Sequence, residues 1–332
     1  MKKRTAGGMP GERKIVPMVL VALMGLAAAV VAGGPAGETS QAPAQTQASA
    51  QTPVKLDTDA LVETDRAFSR TAREKGMRAA FLQYVTVQGV VFLPKASNAR
   101  EWYTKRDDLY GLLGWEPEVV EIARGGDLGY TTGAWEFRDK PSDTETAFGQ
   151  YVTLWKKQLN GTWLVLIDVG SVQGRRAVGT AGPAAVKSLR PVVPETVSID
   201  VDTAKSSLME ADRAFSNLSS FKGAAEAYTR YAADDIRFYP RQSAGVAGLE
   251  PVRGALPAPQ ALLTWRPTAG LTADSGDLGF TYGMKELLTD GPAGKPELFG
   301  YLRIWRRDAA GAWKVALEID DPKPQPAARP AS

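Results

Sequence analysis

The pattern of apolar and polar positions changes character along the chain. An almost wholly apolar run fills residues 15–32, and a stretch of Gly, Pro, Ala, Gln, Thr and Ser follows over residues 33–56. From Asp57 onward, apolar residues recur first at helical spacing and later in two-residue alternation, which predicts helices followed by strands. Because the second half of the chain repeats this order, the pattern predicts two α+β domains behind a non-globular N-terminal segment.

The helices and strands of the first copy can be placed from this pattern. Leu61, Asp65, Phe68 and Ala72 share one face of a first helix that begins near Asp57. Further helices are predicted over residues 77–84 and 100–113. Strands are predicted over residues 87–93, 118–123, 128–137, 148–157 and 163–169. Asn160-Gly161 indicates a tight hairpin between the last two strands.

Several motifs occur twice in the same order. The sequence Gly-Asp-Leu-Gly-Tyr-Thr-Thr-Gly at 126–133 returns as Gly-Asp-Leu-Gly-Phe-Thr-Tyr-Gly at 276–283, an offset of 150 residues. The helical motif Glu-x-Asp-Arg-Ala-Phe-Ser at 63–69 returns at 210–216, an offset of 147 residues. The Trp-x-Pro, Tyr-x-x-x-Trp and final Trp motifs also return. Such ordered repetition indicates a duplicated domain.

These motifs resemble those of tandem SnoaL-like, nuclear transport factor 2-like domains, and each copy is similar to the group called "domain of unknown function 4440". The resemblance covers about residues 57–172 and 204–321. It implies a cystatin-like cone, in which helices pack on a curved antiparallel sheet around a pocket. It also implies that the two copies could pair through their sheets as a pseudo-dimer, or that the chain could form homo-oligomers. Superfamily members include enzymes and binding modules, so the resemblance does not choose between them.

Domain limits follow from the repeat and from composition. The predicted segments are a signal peptide or signal anchor (1–32), a disordered linker (33–56), the first domain (57–173), a second linker (174–203), the second domain (204–322) and a disordered tail (323–332).

The N-terminal segment predicts export. Basic residues within 1–14 precede the apolar run, as in a secretory signal peptide. We therefore expect a periplasmic or secreted protein. The alternative is an uncleaved anchor in the inner membrane formed by residues 15–32, since this run is just long enough to span a bilayer. In either case the membrane is contacted only through this segment.

Composition excludes several kinds of chemistry. The chain has no Cys and no His, so disulfides, thiolate nucleophiles and most zinc or triad chemistry are excluded. The net charge is +3, and the excess positive charge lies before residue 15. The remainder is near neutral, so no nucleic-acid partner is expected. No phosphate loop or calcium loop is present, and we predict no cofactor and no metal site.

Two Asp residues are weak candidates for a catalytic base. Asp65 lies on the apolar face of the first helix, and Asp212 lies identically between Leu208 and Phe215. A carboxylate on such a face is costly unless it is paired or hydrogen-bonded. It is therefore either a pocket-facing base with a raised pKa or a carboxylate tied to backbone N–H groups or an Arg.

Other repeated positions are candidates for a ligand pocket. Strand alternation places Tyr130 with Glu136, and Tyr282 with Glu286, on one face, which we expect to line the cone. Each Glu could instead be a solvated charge at the strand end. The remaining members of the predicted pocket are Tyr151, Asp168, Tyr301 and Glu318.

The same candidates have alternative interpretations. Tyr151 and Tyr301 could be part of the core. Asp168 and Glu318 occupy one slot near the end of the last strand. Alternation points Asp168 away from Trp163, Val165 and Ile167, so it could face solvent. Arg241 and Arg253 could bind an anionic ligand in the second copy, whereas the first copy offers Lys95 and no clear counterpart of Arg253.

Three functions remain open. The first is an exported module that binds a small, mostly apolar molecule in one or both cones without turnover. The second is an enzyme of the isomerase or dehydratase type that uses Asp65 or Asp212 as its base. The third is a structural pseudo-dimer that docks a partner in the cell envelope.

Overall fold

The computed structural model describes residues 58–92, 96–107, 111–140, 147–173, 185–189, 200–289 and 294–320. The predictions for residues 1–56 and 323–332 lie outside these ranges, and so does the predicted helix start at Asp57. Within the described ranges, each half of the chain folds as helices packed on one side of a curved sheet. The predicted α+β class is confirmed.

The first domain carries a seven-stranded sheet in the order β2-β1-β6-β5-β4-β3-β7. Neighbouring strands are antiparallel except for the parallel pairs β1/β6 and β3/β7. Its elements are α1 (Thr58–Lys75), α2 (Met77–Tyr84), β1 (Val85–Phe92), β2 (Ala96–Asn98), α3 (Ala99–Thr104), β3 (Leu112–Ile122), β4 (Leu128–Arg138), β5 (Ala147–Lys157), β6 (Trp163–Val172) and β7 (Lys187–Leu189).

The second domain repeats this arrangement in a six-stranded sheet with the order β10-β11-β12-β13-β8-β9. Its elements are α4 (Val201–Lys222), α5 (Ala224–Tyr231), β8 (Ala232–Tyr239), β9 (Val246–Ala247), α6 (Leu249–Ala255), β10 (Leu262–Thr272), β11 (Leu278–Leu288), β12 (Glu297–Arg307) and β13 (Trp313–Asp320).

The structure corrects two sequence predictions. The helix predicted over residues 100–113 ends at Thr104, and the chain is already in β3 at Leu112. Leu112 pairs with Arg138 of β4, and Gly111 before it has φ of 117°, which is incompatible with a continuing helix. The predicted linker 174–203 contains β7, and it also contains the start of α4, which Asp200 caps.

Each helical layer covers one face of its sheet through a cluster of aromatic side chains. Phe68 of α1 is fully buried and packs edge-on against Phe81, Trp115 and Trp155. Phe215 of α4 makes the corresponding contacts in the second domain. The helices are thus held to the sheets by burial of large apolar area.

The opposite faces of the two sheets pack against each other. One buried apolar cluster spans both domains. Its members include Leu128, Tyr130, Val152, Leu154, Ile167, Val169, Leu278, Phe280, Leu302, Ile304, Leu317 and Ile319. Between the domains, the Thr132 hydroxyl lies 3.1 Å from the Tyr239 hydroxyl, and the Phe92 ring packs edge-on against Tyr282.

The repeated motif at 126–133 owes its composition to this packing. Gly126 has φ of 72° in the turn before β4, a conformation that favours glycine. A Cβ on Gly129 would lie 3.0 Å from the Leu61 side chain, so glycine lets α1 lie directly on the strand. Thr131 accepts a hydrogen bond from the Trp155 indole (2.8 Å). The second copy repeats these relations around Gly276, Gly279 and Thr281.

The two Gly-Asp turns also hold each other across the domain boundary. The backbone N–H of Arg124 donates to Asp277 Oδ2 (3.1 Å), and the backbone N–H of Asp274 donates to Asp127 Oδ2 (3.1 Å). Lys156 adds an ion pair to Asp127 (2.6 Å). We call this reciprocal set of contacts the turn clasp.

Candidate functional site

Asp65 lies at the centre of the first domain, between α1 and the sheet. Its side chain is fully buried, and it accepts hydrogen bonds from the Trp115 indole N–H (2.7 Å) and the Tyr151 hydroxyl (2.6 Å). Burial raises the pKa of Asp65 to about 6, although these hydrogen bonds act in the opposite direction. Both oxygens are occupied, so Asp65 anchors the helix to the sheet through side-chain donors.

Asp212 holds the same place in the second domain but has an additional partner. It accepts from the Trp265 indole (2.8 Å) and the Tyr301 hydroxyl (2.7 Å), and it pairs with the Arg303 guanidinium (2.6 Å). Asp212 and Arg303 are both fully buried. Of the two interpretations from the sequence, the geometry of Asp212 matches the carboxylate tied to an Arg.

Asp168 points to a different side than strand alternation predicts. The pairing of β5 with β6 shifts register between Leu154 and Trp155, so β6 contains a β-bulge near Leu166. Before the bulge Val165 faces the helices, and after it Ile167 faces the other sheet. Asp168 therefore turns towards the helical side, the interior of the cone.

The Asp168 carboxyl is only partly satisfied. Its Oδ2 accepts a hydrogen bond from the Thr153 hydroxyl (2.7 Å), the one hydrogen bond that this side chain makes within the described ranges. Burial raises its pKa to about 7, and the nearby charge of Asp65 acts in the same direction. Near neutral pH this half-buried carboxyl is therefore present in both protonation states, and it can either donate or accept a hydrogen bond.

The equivalent carboxylate of the second domain, Glu318, is completely engaged. It accepts from Arg303 Nε (2.5 Å) and the Tyr228 hydroxyl (2.6 Å), and it pairs with Lys285, which also pairs with Asp320 (2.5 Å). Burial acts to raise the pKa of Glu318, but the charges of Arg303 and Lys285 outweigh it and lower the pKa to about 2. This carboxylate has no capacity left for a ligand.

The two domains also differ at the mouth of the cone. In the first domain the half-buried Trp135 indole donates to the backbone carbonyls of Gln150 and Ser171 (both 3.1 Å). A Cβ on Gly149 or Gly170 would lie 2.8 or 3.2 Å from the indole nitrogen, so both glycines make room for this ring. Strand register places Lys285, Phe299 and Asp320 at these three positions in the second domain.

Several predicted pocket residues do not face a cone. Tyr130 is buried between the two sheets, where its hydroxyl donates to Glu121 (2.9 Å), and Tyr282 packs in the same inter-sheet cluster. Glu136 lies 3.2 Å from Arg138 on that sheet face, and Glu286 is exposed. The expectation that the Tyr130 face lines the cone is wrong, because the face carrying Gly129 and Thr131 is the one that meets the helices.

The other predicted residues come together as two separate groups. In the first domain, Tyr151 donates a hydrogen bond to Asp65, and the charge of Asp65 contributes to the raised pKa of Asp168. In the second domain, Arg303 joins Asp212 to Glu318, and Tyr301 donates to Asp212.

Sequence reasoning missed the residues that make the two cones different. Thr153 and Trp135 correspond to Arg303 and Lys285 at the 150-residue offset. Comparing the two copies position by position for changes of charge would have found both pairs.

The described residues contain no cluster of three or more Asp, Glu, His or Cys side chains suited to a metal ion. Among those residues, no helix has the length and apolar character needed to cross a bilayer.

Comparisons with known proteins give structural similarity only. No family model and no curated protein matches the chain. Among solved structures, a ketosteroid isomerase-like protein from Erwinia carotovora atroseptica matches with 18% identity and a TM-score of 0.30, covering 37% of this chain and 97% of that one. An NTF2-like protein with a cystatin-like fold from Novosphingobium aromaticivorans matches with 16% identity and a TM-score of 0.30, covering 36% and 80%.

An LEH-like epoxide hydrolase from M. tuberculosis matches with 14% identity and a TM-score of 0.28, covering 35% of this chain and 79% of that one. Each match spans roughly the length of one of the two domains. At these identities and scores, the similarity carries no information about activity.

Proposed function

We propose that the protein binds a small, mostly apolar molecule in the cone of its first domain, without turnover, and that Asp168 contacts the polar group of that molecule. The observation that carries this proposal is the contrast between two equivalent carboxyls. Asp168 has a single hydrogen-bond partner within the described part of the chain, whereas Glu318 is held by two cations and a tyrosine.

The surroundings of Asp168 support an apolar ligand. Where the second domain has Arg303, Lys285 and Tyr228, the first domain has Thr153, Trp135 and Phe81. Relative to the second domain, these replacements remove two positive charges and a hydroxyl, and Phe81 and Trp135 belong to the apolar cluster on the helical side of the first sheet. Ligand sites commonly combine apolar walls with a few polar groups.

Fluorescence titration with 2-naphthol and with naphthalene tests the binding proposal. We expect 2-naphthol to bind roughly tenfold more tightly, because only its hydroxyl can pair with Asp168. Asp168→Ala should remove this preference, whereas Glu136→Ala, which changes a carboxylate on the opposite sheet face, should keep it. Equal affinities for the two probes in the unmodified protein would contradict the proposal.

A second candidate is a proton-transfer enzyme of the isomerase or dehydratase type, with Asp168 as the base. This assignment differs from the sequence hypothesis, because Asp65 has both oxygens hydrogen-bonded and Asp212 is paired with Arg303. The pKa of about 7 favours Asp168, since a general base works best when its pKa lies near the working pH.

Deuterium exchange at the α-carbon of 2-indanone, followed by NMR, separates the two candidates. An enzyme should accelerate the exchange, and Asp168→Asn should abolish the acceleration. Retained 2-naphthol binding without any accelerated exchange would support the binding module and count against the enzyme.

The repeat, the N-terminal segment and the packed sheets support three further inferences, on family, location and assembly. We infer that each domain is of the "domain of unknown function 4440" type, that residues 1–32 direct export, and that the packed sheets act as an intramolecular pseudo-dimer. Cell fractionation with mass spectrometry of the mature N-terminus tests export; an intact N-terminus in the inner membrane would favour the anchor. Specific capture of an envelope protein by a variant that has lost the 2-naphthol preference would favour the docking role.

A further inference from the structure

The second domain contains a separate cavity at the mouth of its cone. Its volume is about 440 Å³, within the range of small-molecule sites. The end of β8 with the turn after it, the segment after α6, the end of β11 and the start of β12 line it. Lys285 and Asp320 line this cavity and belong to the ion network around Arg303, so the network borders the cavity.

The walls of the cavity are largely apolar. Phe238, Leu263, Leu287 and Phe299 line it, together with Leu256 and Pro257. Lys285 and Asp320 also line it and are paired with each other (2.5 Å). A ligand here would rest its body against aromatic and aliphatic side chains.

Arg241 is the charged group with unused capacity. Its guanidinium lies over the Phe299 ring (4.8 Å), and its Nη1 donates to Glu297 (2.5 Å). Its Nε is buried without a partner within the described ranges. The Arg241 side chain is 14% exposed, whereas that of Glu297 is 45% exposed. The stacked ring thus restrains a guanidinium whose only ion-pair partner in the described residues lies at the solvent edge.

An unpaired buried donor is costly, and a carboxylate can accept from two adjacent N–H groups of one guanidinium. We propose that this cavity binds a small organic acid, with its carboxylate at Arg241 and its apolar body against Phe238 and Phe299. A cationic ligand would be repelled by Arg241 and Lys285, and a neutral apolar ligand would leave the Arg241 Nε without a partner. The site is independent of Asp168 in the other domain.

Fluorine NMR titrations of the full chain with 4-fluorobenzoate and 4-fluorobenzamide test this site, because the two probes share their shape but differ in charge. We expect saturable benzoate binding at least roughly tenfold tighter than amide binding. Arg241→Met should abolish the difference. Arg253→Met is the matched control, since Arg253 is an exposed arginine paired with Glu250 that does not line the cavity, and it should leave binding unchanged.

One further variant separates a specific effect from misfolding. Glu297→Gln keeps Arg241 but removes its competing anion, so we expect benzoate to bind several-fold more tightly. The proposal is overturned if the two probes bind equally, if benzoate does not saturate, if Glu297→Gln has no effect, or if Arg253→Met weakens binding as much as Arg241→Met.

Discussion

Replacing Thr153 by Arg would place in the first domain the counterpart of Arg303, the cation that pairs with Asp212 and Glu318 in the second domain. The surroundings are already suited to it. Arg303 lies over the rings of Trp265 (4.0 Å) and Phe215 (4.6 Å), and the first domain has Trp115 and Phe68 at the same positions. A guanidinium at position 153 would therefore find the same aromatic support.

The expected effect is a large fall in the pKa of Asp168. This pKa is about 7, whereas Glu318, which has two cations beside it, has a pKa of about 2. With one cation supplied, we expect the pKa to fall below the ordinary Asp value of 3.8. A fall of about three pKa units corresponds to about 4 kcal/mol at most, and partial exposure reduces this to about 2 kcal/mol.

The sign of the stability change follows from linkage. In the unmodified protein the pKa of Asp168 is raised on folding, so stability is lost as the pH rises from about 4 to about 7. In Thr153→Arg the pKa of Asp168 in the folded protein lies below its value in the unfolded chain. The ionised carboxylate then contributes stability at neutral pH, and this contribution is lost only as the pH falls through the new pKa. The variant should therefore gain stability relative to the unmodified protein at pH 8, and less so at pH 5.

Carbon-13 NMR of labelled Asp carboxyls gives the pKa, and urea denaturation at the two pH values gives the free energy of unfolding. Thr153→Val is the control, because it removes the hydroxyl hydrogen bond without adding charge and should not lower the pKa. The reasoning is refuted if a folded Thr153→Arg protein still titrates Asp168 near 7, or if Thr153→Val lowers the pKa equally.

Three other predictions concern stability. Arg303→Met leaves two buried carboxylates without their shared cation and should cost about 3–5 kcal/mol of unfolding free energy, measured by urea denaturation; a loss under about 1 kcal/mol would contradict a buried network. Asp277→Ala removes the clasp bond to the Arg124 backbone and should cost about 1–2 kcal/mol, whereas Lys205→Ala on an exposed face of α4 should be neutral. Asp65→Asn should flatten the fall in stability between about pH 4 and pH 6, and Asp168→Asn the fall between about pH 4 and pH 7, because the pKa values of these carboxyls are raised to about 6 and about 7; an unchanged pH profile would argue against these raised values.

The repeat itself was visible in the sequence, because the same physical demands act twice. Gly126 needs a positive φ, Gly129 lies under a helix, and Asp127 belongs to the turn clasp. None of these positions tolerates much change. A motif under backbone and packing constraints survives duplication, and its recurrence predicts a shared fold without saying what the fold does.

The orientation of side chains was less predictable. Alternation correctly grouped Tyr130 with Thr132, but it could not say which sheet face meets the helices. The small residues Gly129 and Thr131 on the opposite face carried that signal, since a closely packed helix leaves little room for side chains. The bulge near Leu166 exchanges the faces to which the following side chains of β6 point, and no residue type at this position indicates a bulge.

The difference between the two cones can also be found in the sequence, but only by comparing the two copies position by position. Either copy alone shows a carboxylate on the last strand, and neither shows whether that carboxylate is paired. The answer lies on neighbouring strands, at positions 153 and 303, which come together with positions 168 and 318 only after folding. Long-range pairing of this kind is not encoded in local periodicity.

The ion network of the second domain makes the two cones differ in how their buried carboxyls are held. Loss of Arg303 leaves Asp212 as a buried carboxylate without a cation and removes one of the two cations beside Glu318, so substitution of Arg303 is strongly disfavoured. The first domain lacks that cation, and its carboxyls instead carry raised pKa values, a standing cost in stability at neutral pH. Raised pKa values occur at functional sites and in structural networks alike, so the titration of Asp168 has to be read together with the binding tests on the same residue.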